Sequence, residues 1–404
     1  MPRSLASGDD VEGLQGPGSI RASQDRVEEP PVLPQPRWFS PLKLLVIFCV
    51  TNLFVYLDRG LVASNGVNGS ARTSASPQGS GIQGDFDLSF FQDGLLAPAF
   101  LGGLLVASPI FAEASKSYSA FRLLGIGMGV WTAACLLSGL APTFSILMVL
   151  RGFVGVGEAS FVSLAAPFID DYAPVEQKAT WFAAFFLCIP AGFALGYISG
   201  GLIGPTLGWR TAFLLEAAVM TPFVVFALTA QPIMLRGASP AQRLKRDSEG
   251  GDMVEGTPAR SWDLVLQDFY RDVLQVFEQK VWLLACGAYT LYVAVMGVYA
   301  YWGPKAGREL FFGVDSKGKE ADLTFGAVTV LTGVLGSIGG GRALDVMGSS
   351  LQAACVVCGL SCLLGMVLLV PAFMIMKTFS SFMALLAFGQ LLVFLLQVRA
   401  HAKK

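Results

Sequence analysis

Ten apolar segments, each close to the length of a membrane-spanning helix, constrain this chain more than any other feature of its sequence. Six follow one another, a polar stretch interrupts them, and four more complete the series. In a bilayer each backbone N–H and C=O must be paired inside the protein, and a helix achieves this within one segment. The sequence therefore predicts an all-α polytopic membrane protein with spans over 43–63, 90–111, 123–141, 145–168, 180–203, 211–230, 281–302, 325–344, 351–374 and 379–398.

Composition narrows the classes of protein and of ligand. Of the 404 residues, 53% are hydrophobic and 14% are charged, whereas soluble domains carry roughly 25% charged residues. The net charge of −1 disfavours a nucleic-acid partner. All seven cysteines lie in apolar stretches, which predicts reduced core thiols. Three of them have ligand-like spacing, but their apolar surroundings and the single distant histidine argue against a metal (Cys355, Cys358, Cys362; His401).

The polar stretch divides the chain into two sets of spans. We predict a disordered cytosolic tail, a six-helix bundle, a cytosolic central loop, an incomplete four-helix bundle and a short tail, over 1–42, 43–230, 231–280, 281–398 and 399–404. Within the loop, 262–280 has the apolar spacing of an amphipathic helix. Lys and Arg are frequent in this loop, whereas 64–89 has only Arg72, so the positive-inside rule places the amino terminus and the loop in the cytosol.

The fourth span carries two charges, Arg151 and Glu158, in an otherwise apolar segment. A charge at the bilayer centre costs from about 2.5 to more than 10 kcal/mol. The two residues are seven apart and so lie on one stripe of a helix. Small residues at Gly152, Gly155 and Gly157 let a neighbouring helix approach closely. This stripe predicts a polar site at membrane depth.

Each charged residue in the spans also has an interpretation without function. Arg151 and Glu158 could simply fix helix packing, although a separation of about 10 Å along the axis gives each a partner elsewhere. Asp58 and Arg59 could mark the membrane interface, where charges cost little. Glu216 is a further acid within the sixth span, with Arg210 and Arg151 as candidate partners, and both interpretations stay open.

Particular segments resemble a known family. The first span carries YLDRGLVASNGVNGS, the second ends in LLVASPIFA, the fourth reads RGFVGVGEASFVSLAAPFIDDYAP, the seventh ends in YAYWGPKAG and the eighth begins with ADLTFGAVTVLTGVLG. Together these resemble Spinster-type lipid transporters of the major facilitator superfamily, especially their plant and algal branch. The turns after the second and eighth spans are also similar, as expected of parallel repeats. Because the family has six helices in each half, the resemblance implies that the last two are missing from the carboxyl-terminal end.

The resemblance implies roles for individual residues. Asp58 would lie opposite Arg151, and these two with Glu158 would carry proton or ion coupling. Arg151 and Glu158 would also form the polar end of a lipid cavity. Lys305 is as compatible with a snorkelling lysine as with a ligand for an anionic headgroup. The further candidates are cavity-lining tyrosines and residues of a conformational latch, whose second copy has Val346 where arginine is common (Tyr292, Tyr299; Glu113, Arg122, Asp345).

The sequence and the resemblance together predict a secondary active transporter of a single-chain lipid: a lysolipid, a sphingolipid or a sphingoid phosphate. Proton-coupled alternating access is expected, with membrane lipids around it and no cofactor. One histidine outside the spans excludes a Ser-His-Asp set, and no phosphate-binding Gly loop supports ATP-driven transport, so no enzyme is predicted. The alternatives are a truncated isoform that acts by association, or a lipid sensor. The resemblance suggests endosomal, lysosomal, vacuolar, mitochondrial or plasma membranes.

Overall fold

The computed structural model describes residues 36–74, 77–115, 118–174, 177–233, 267, 270–271, 274–313, 318–347 and 351–395. These residues form thirteen helices, besides the helical positions 267, 270–271 and 274–277, and their one β feature is an isolated bridge between Ser70 and Ser80. In chain order the helices are α1 Pro41–Ala63, α2 Asn65–Asn68, α3 Gly81–Asp85, α4 Phe90–Gly94, α5 Leu96–Ala114, α6 Ala120–Gly139, α7 Phe144–Tyr172, α8 Lys178–Leu207, α9 Trp209–Thr229, α10 Lys280–Phe311, α11 Lys319–Val346, α12 Leu351–Ile375 and α13 Phe379–Phe394.

The all-α polytopic class is confirmed. Nine of the described helices are long and apolar enough to cross a membrane, with α4 and α5 together forming the second span, Phe90–Ala114. The tenth predicted span appears as α13, an apolar helix of 16 residues. Its predicted end, 396–398, lies outside the described residues. Many side chains on the spans are exposed and apolar, for example Leu105 and Val106, which suits a surface in contact with lipid.

Two local signals set the ends of the long helices that carry the polar residues. The hydroxyl of Thr143 accepts a hydrogen bond from the backbone of Ile146, which starts α7. Between α8 and α9 the chain turns at Gly208, whose φ of +83° favours glycine. This single residue brings α9, with Glu216, back beside the preceding spans.

Glycines let α7 pack closely against its neighbours, as the sequence predicted. A Cβ at Gly155 would overlap the backbone of Phe100 in α5, and one at Gly157 would overlap the backbone of Trp131 in α6. Gly152 is less crowded, because a Cβ added there would lie 3.8 Å from its nearest neighbour, the Ala99 carbonyl oxygen. Close backbone approach on both sides of α7 leaves its charged stripe directed toward α1.

Helix α8 lies between α1 and α11. On one side its Gly196 packs against the Leu57 carbonyl, and Asn52 donates a 2.8 Å hydrogen bond to the Phe185 carbonyl. On the other side Gly326 of α11 lies against the backbone of Ala194. The first and second sets of spans therefore meet along α8.

Several predicted segments fall wholly or partly outside the described residues. The amino-terminal tail to residue 35 and the end from 396 are among them, as is 234–266 of the central loop. Of the predicted amphipathic helix over 262–280, the described positions 267, 270–271 and 274–277 are helical. The bundle boundaries themselves stay predictions. The cysteines are free thiols, but the prediction that all are core residues is wrong, since Cys135 alone is fully buried and Cys355 is exposed. The other five are partly exposed.

Candidate functional site

Asp58 and Arg151 form a buried ion pair between α1 and α7. Arg151 donates from Nη1 to Asp58 Oδ1 at 2.7 Å and from Nη2 to Oδ2 at 2.6 Å. Both side chains are 2% exposed or less. Such a two-point pair is geometrically specific, and removing one partner would leave an uncompensated buried charge. The pair therefore holds α1 and α7 together only while Asp58 is ionised.

A second ion pair joins the next residue of α1 to the same stripe of α7. Arg59 donates to Glu158, which is fully buried. The guanidinium of Arg59 also lies over the rings of Tyr56 and Phe100, at 4.5 and 4.6 Å from their centroids. Arg151 and Glu158 thus have separate partners, as their spacing predicted. Arg59, which the sequence left undecided, belongs to the site.

A third acid, Glu216 of α9, lies beside the first pair. It is buried, and neither of its carboxyl oxygens has a hydrogen-bond partner among the described residues. Ligand atoms of Asp58, Cys135 and Glu216 lie within 4.8 Å of one another. This spacing resembles a metal site, but both oxygens of Asp58 already accept from Arg151, whose charge repels a cation. Arg210, a candidate partner from the sequence, pairs instead with Asp85.

A separate polar network lies at the membrane face where α1 ends. We call its first part the Lys305 cluster, made of Asn68, Gln83, Asp93, Tyr301 and Lys305. The ammonium of Lys305 donates to Asp93 Oδ2 at 2.7 Å, Asn68 Oδ1 at 2.8 Å and Gln83 Oε1 at 2.5 Å. All five side chains are buried. Lys305 therefore does not snorkel, and in this conformation its donors are occupied by protein. Its proposed contact with a headgroup stays a prediction.

The second part of the network is the Asp322 cluster, made of Asn65, Gly66 and Asp322. Asp322 Oδ1 accepts from the backbone and side-chain N–H of Asn65 at 2.9 and 2.8 Å, and Oδ2 accepts from the Gly66 backbone at 3.2 Å. Nearby, Arg308 donates to the Gly69 carbonyl at 3.1 Å. The two clusters tie the segment after α1 to α10 and α11. Burial of Asn68 within the first cluster also leaves the Asn68-Gly69-Ser70 glycosylation sequon inaccessible.

The remaining predicted site residues are spread through the fold. Tyr299 is buried and donates to Gln390 Oε1 at 3.1 Å. Glu113 lies at the end of α5 and Arg122 in the first turn of α6, at the opposite membrane face from the Lys305 cluster. The side chains of Tyr292 and Asp345 lie outside those that the structure describes. The roles of these residues stay predictions.

Sequence reasoning missed Asp93, Gln83 and Asp322. Gln83 belongs to a short helix between spans, where no apolar periodicity draws attention to it, whereas Asp93 lies in α4 at the start of the second span. Asp322 sits among ordinary charged residues at the start of α11. The available signal concerned Asp93, which falls within the first turns of the predicted span 90–111, where an acid is costly unless partnered. Asp322 lies just before the predicted span 325–344.

An all-helical membrane bundle with ion pairs buried between its spans is compatible with a secondary transporter. Residues 61–402 match the Major Facilitator Superfamily, and the chain belongs to it. Within this superfamily it is of the spinster type. It is 43% identical to "Probable sphingolipid transporter spinster homolog 2" of Arabidopsis thaliana over an alignment of 396 residues that covers 96% of this chain and 79% of that protein. It is 26% identical to "Protein spinster" of Drosophila melanogaster over 308 residues, 74% of this chain and 44% of that one.

Solved structures agree on the fold. A bacterial homolog of the human lysosomal transporter Spinster, in an inward-facing and unoccupied conformation, superposes with a TM-score of 0.61 at 16% identity, covering 88% of this chain and 73% of that one. A D-xylose-proton symporter gives a TM-score of 0.59 at 16% identity, covering 88% and 80%. At these identities the likeness shows the fold alone. The chain is an integral, multi-pass membrane transporter and not an enzyme.

Proposed function

We propose that this protein is a secondary active transporter of a single-chain lipid, a lysolipid, sphingolipid or sphingoid phosphate, coupled to protons by alternating access. The names of its plant relatives support a sphingolipid substrate. The observation that carries the proposal is the buried pair of Asp58 and Arg151, since an arginine at membrane depth can bind either a carboxylate or an anionic headgroup. Apolar faces of the spans would receive the acyl chain.

Proton coupling follows from competition for Arg151. While Asp58 is ionised, it occupies both nitrogens of the guanidinium that face it. A proton on Asp58 removes that counter-charge, and Arg151 becomes available to an anionic headgroup. Glu158 and Arg59 form a second pair of the same kind one residue along α1. Loading a proton and binding the lipid would thus be linked through one side chain.

The cycle also needs gates at the two membrane faces. By the positive-inside rule, the face where α1 ends is the non-cytosolic one, so the Lys305 and Asp322 clusters would close the outer gate. Residues at the opposite ends, Glu113, Arg122 and Asp345, would form the cytosolic latch. The bundles over 43–230 and 281–398 would rock against each other along α8. Residence in an endosomal, lysosomal, vacuolar, mitochondrial or plasma membrane belongs to the same proposal.

Reconstituted transport tests this proposal. The purified chain in proteoliposomes should take up a labelled lysosphingolipid faster when a pH gradient is imposed. Asp58→Asn and Arg151→Ala should each reduce gradient-driven uptake at least about tenfold, the equivalent of about 1.4 kcal/mol. Glu320→Gln, which changes an exposed acid at the start of α11, is the matched control and should retain uptake. Lipid binding without any flux would instead favour a sensor, and pH-driven flux unchanged in Asp58→Asn would contradict the coupling.

A further inference from the structure

The ion-pair site, made of Asp58, Arg59, Arg151, Glu158 and Glu216, contains three acids but only two arginines. Arg151 balances Asp58, and Arg59 balances Glu158. Glu216 is the remaining acid, buried to 4% exposure, with no hydrogen-bond partner for either oxygen among the described residues. An ionised carboxylate in that position would be desolvated and unpaired, beside a second carboxylate. While both ion pairs are formed, the site is electrically neutral only when Glu216 holds a proton.

The groups around Glu216 favour its protonated form, the carboxylic acid. From α1 comes Asp58, and from α6 comes the Cys135 thiol. From α7 comes Arg151, already bound at both terminal nitrogens by Asp58. On α8 the buried phenol Tyr197 is engaged elsewhere, since its hydroxyl donates to the Ala300 carbonyl at 2.7 Å. The short helix α2, Asn65–Asn68, has no titratable side chain.

We propose that Glu216 is a proton-binding residue of this transporter, which exchanges its proton with Asp58. This inference rests on the proposed proton coupling and adds a residue to it. In the exchange, the O–H bond of Glu216 breaks as one forms to an Asp58 oxygen. Glu216 becomes the carboxylate and Asp58 the acid, so the total charge is unchanged. A second proton, taken up by Glu216 from water, then leaves the positive charge of Arg151 without a counter-charge, so that it attracts an anionic headgroup.

Infrared difference spectroscopy of the lipid-reconstituted protein, without substrate, tests the proton site directly. A step to higher pH should remove a carboxylic acid C=O band and add a carboxylate band. Glu216→Gln should lack this change, while Glu320→Gln should retain it. A spectrum that does not change between the native chain and Glu216→Gln overturns the proposal. If the Gln variant is not recovered, Glu216→Asp should shift the band, and an unshifted band overturns it equally.

Transport assays then distinguish a failure of the proton-site proposal from a failure of the proposed function. In Glu216→Gln, gradient-driven lipid uptake should fall at least tenfold, while lipid counterflow at equal pH, which needs no net proton movement, should stay within twofold. Intact gradient-driven uptake in this variant overturns the coupling role of Glu216, and so does a parallel loss of counterflow. A Glu216-dependent infrared band in a chain that shows no pH-driven uptake at all would leave the proton site standing and refute the proposed function.

Discussion

The ion pair of Lys305 and Asp93 illustrates how a buried charge is stabilised at the scale of single residues. Asp93 is fully buried, and its carboxylate accepts from Lys305, Asn68 and Tyr301. Removing one partner of a buried pair typically costs about 3–5 kcal/mol, because the other charge is left uncompensated, whereas replacing both partners is often neutral. The two substitutions should therefore be strongly non-additive.

We expect Lys305→Met to lower the melting temperature in detergent, and the double variant Lys305→Met/Asp93→Asn to recover most of the loss. A thermal unfolding series of the native, single and double variants measures this coupling. Additive losses would mean that the contact contributes little. The same double variant also tests whether Lys305 contacts an anionic lipid headgroup. Weakened lipid binding in a variant whose stability has recovered would assign Lys305 a role in substrate binding as well.

At the scale of helices, glycine contacts determine how closely α7 approaches α5 and α6. A Cβ at Gly155 would meet the backbone of Phe100, which cannot move as a side-chain tip can. Overpacking of this kind costs about 1–3 kcal/mol. Gly155→Ala should therefore lower the melting temperature. Gly102→Ala in α5 is the matched control, because open space surrounds it and alanine favours the helix by about 0.5–1 kcal/mol. Equal behaviour of the two variants would contradict the close packing.

The sequence predicted the long helices well and the short ones not at all. Apolar length alone located the spans, although α10 continues to Phe311, beyond the predicted end at 302. Helices α2 and α3 arise in a segment rich in Ser, Gly and Asn, which has no periodic pattern, and α4 was not distinguished from the predicted second span. Their polar groups are satisfied by α10 and α11, so the contacts that stabilise them come from more than 200 residues away.

The candidate site, too, was predictable only in part from the sequence. Intramembrane charge identified Arg151 and Glu158, because each is too costly to bury without a partner, and the family resemblance added Asp58. Which acid meets which arginine depends on the rotation and height of two helices, and this is not encoded in either segment alone. Arg59 and Glu216 could therefore be recognised as candidates, whereas their neighbours became known only from the packing of α1, α7 and α9.

At the scale of the whole molecule, the two polar clusters form the proposed outer gate. Asp322 accepts from three N–H groups of the chain just after α1, and these bonds join the first set of spans to the second. Hydrogen bonds to a charged group contribute about 1.5–3 kcal/mol each. Weakening them should shift the population toward a conformation that is open at this face, since both states share the remaining contacts.

Asp322→Asn should therefore expose Val67, which is fully buried beneath these contacts. In a chain carrying Val67→Cys, labelling by a membrane-impermeant maleimide should be at least about tenfold faster with Asp322→Asn than without it, the change that 1.4 kcal/mol produces. Ser74→Cys, at an exposed position of the same segment, should be labelled equally in both backgrounds. Unchanged labelling at position 67 would show that the Asp322 cluster is not what holds this face shut, and the Lys305 cluster would then have to do so alone.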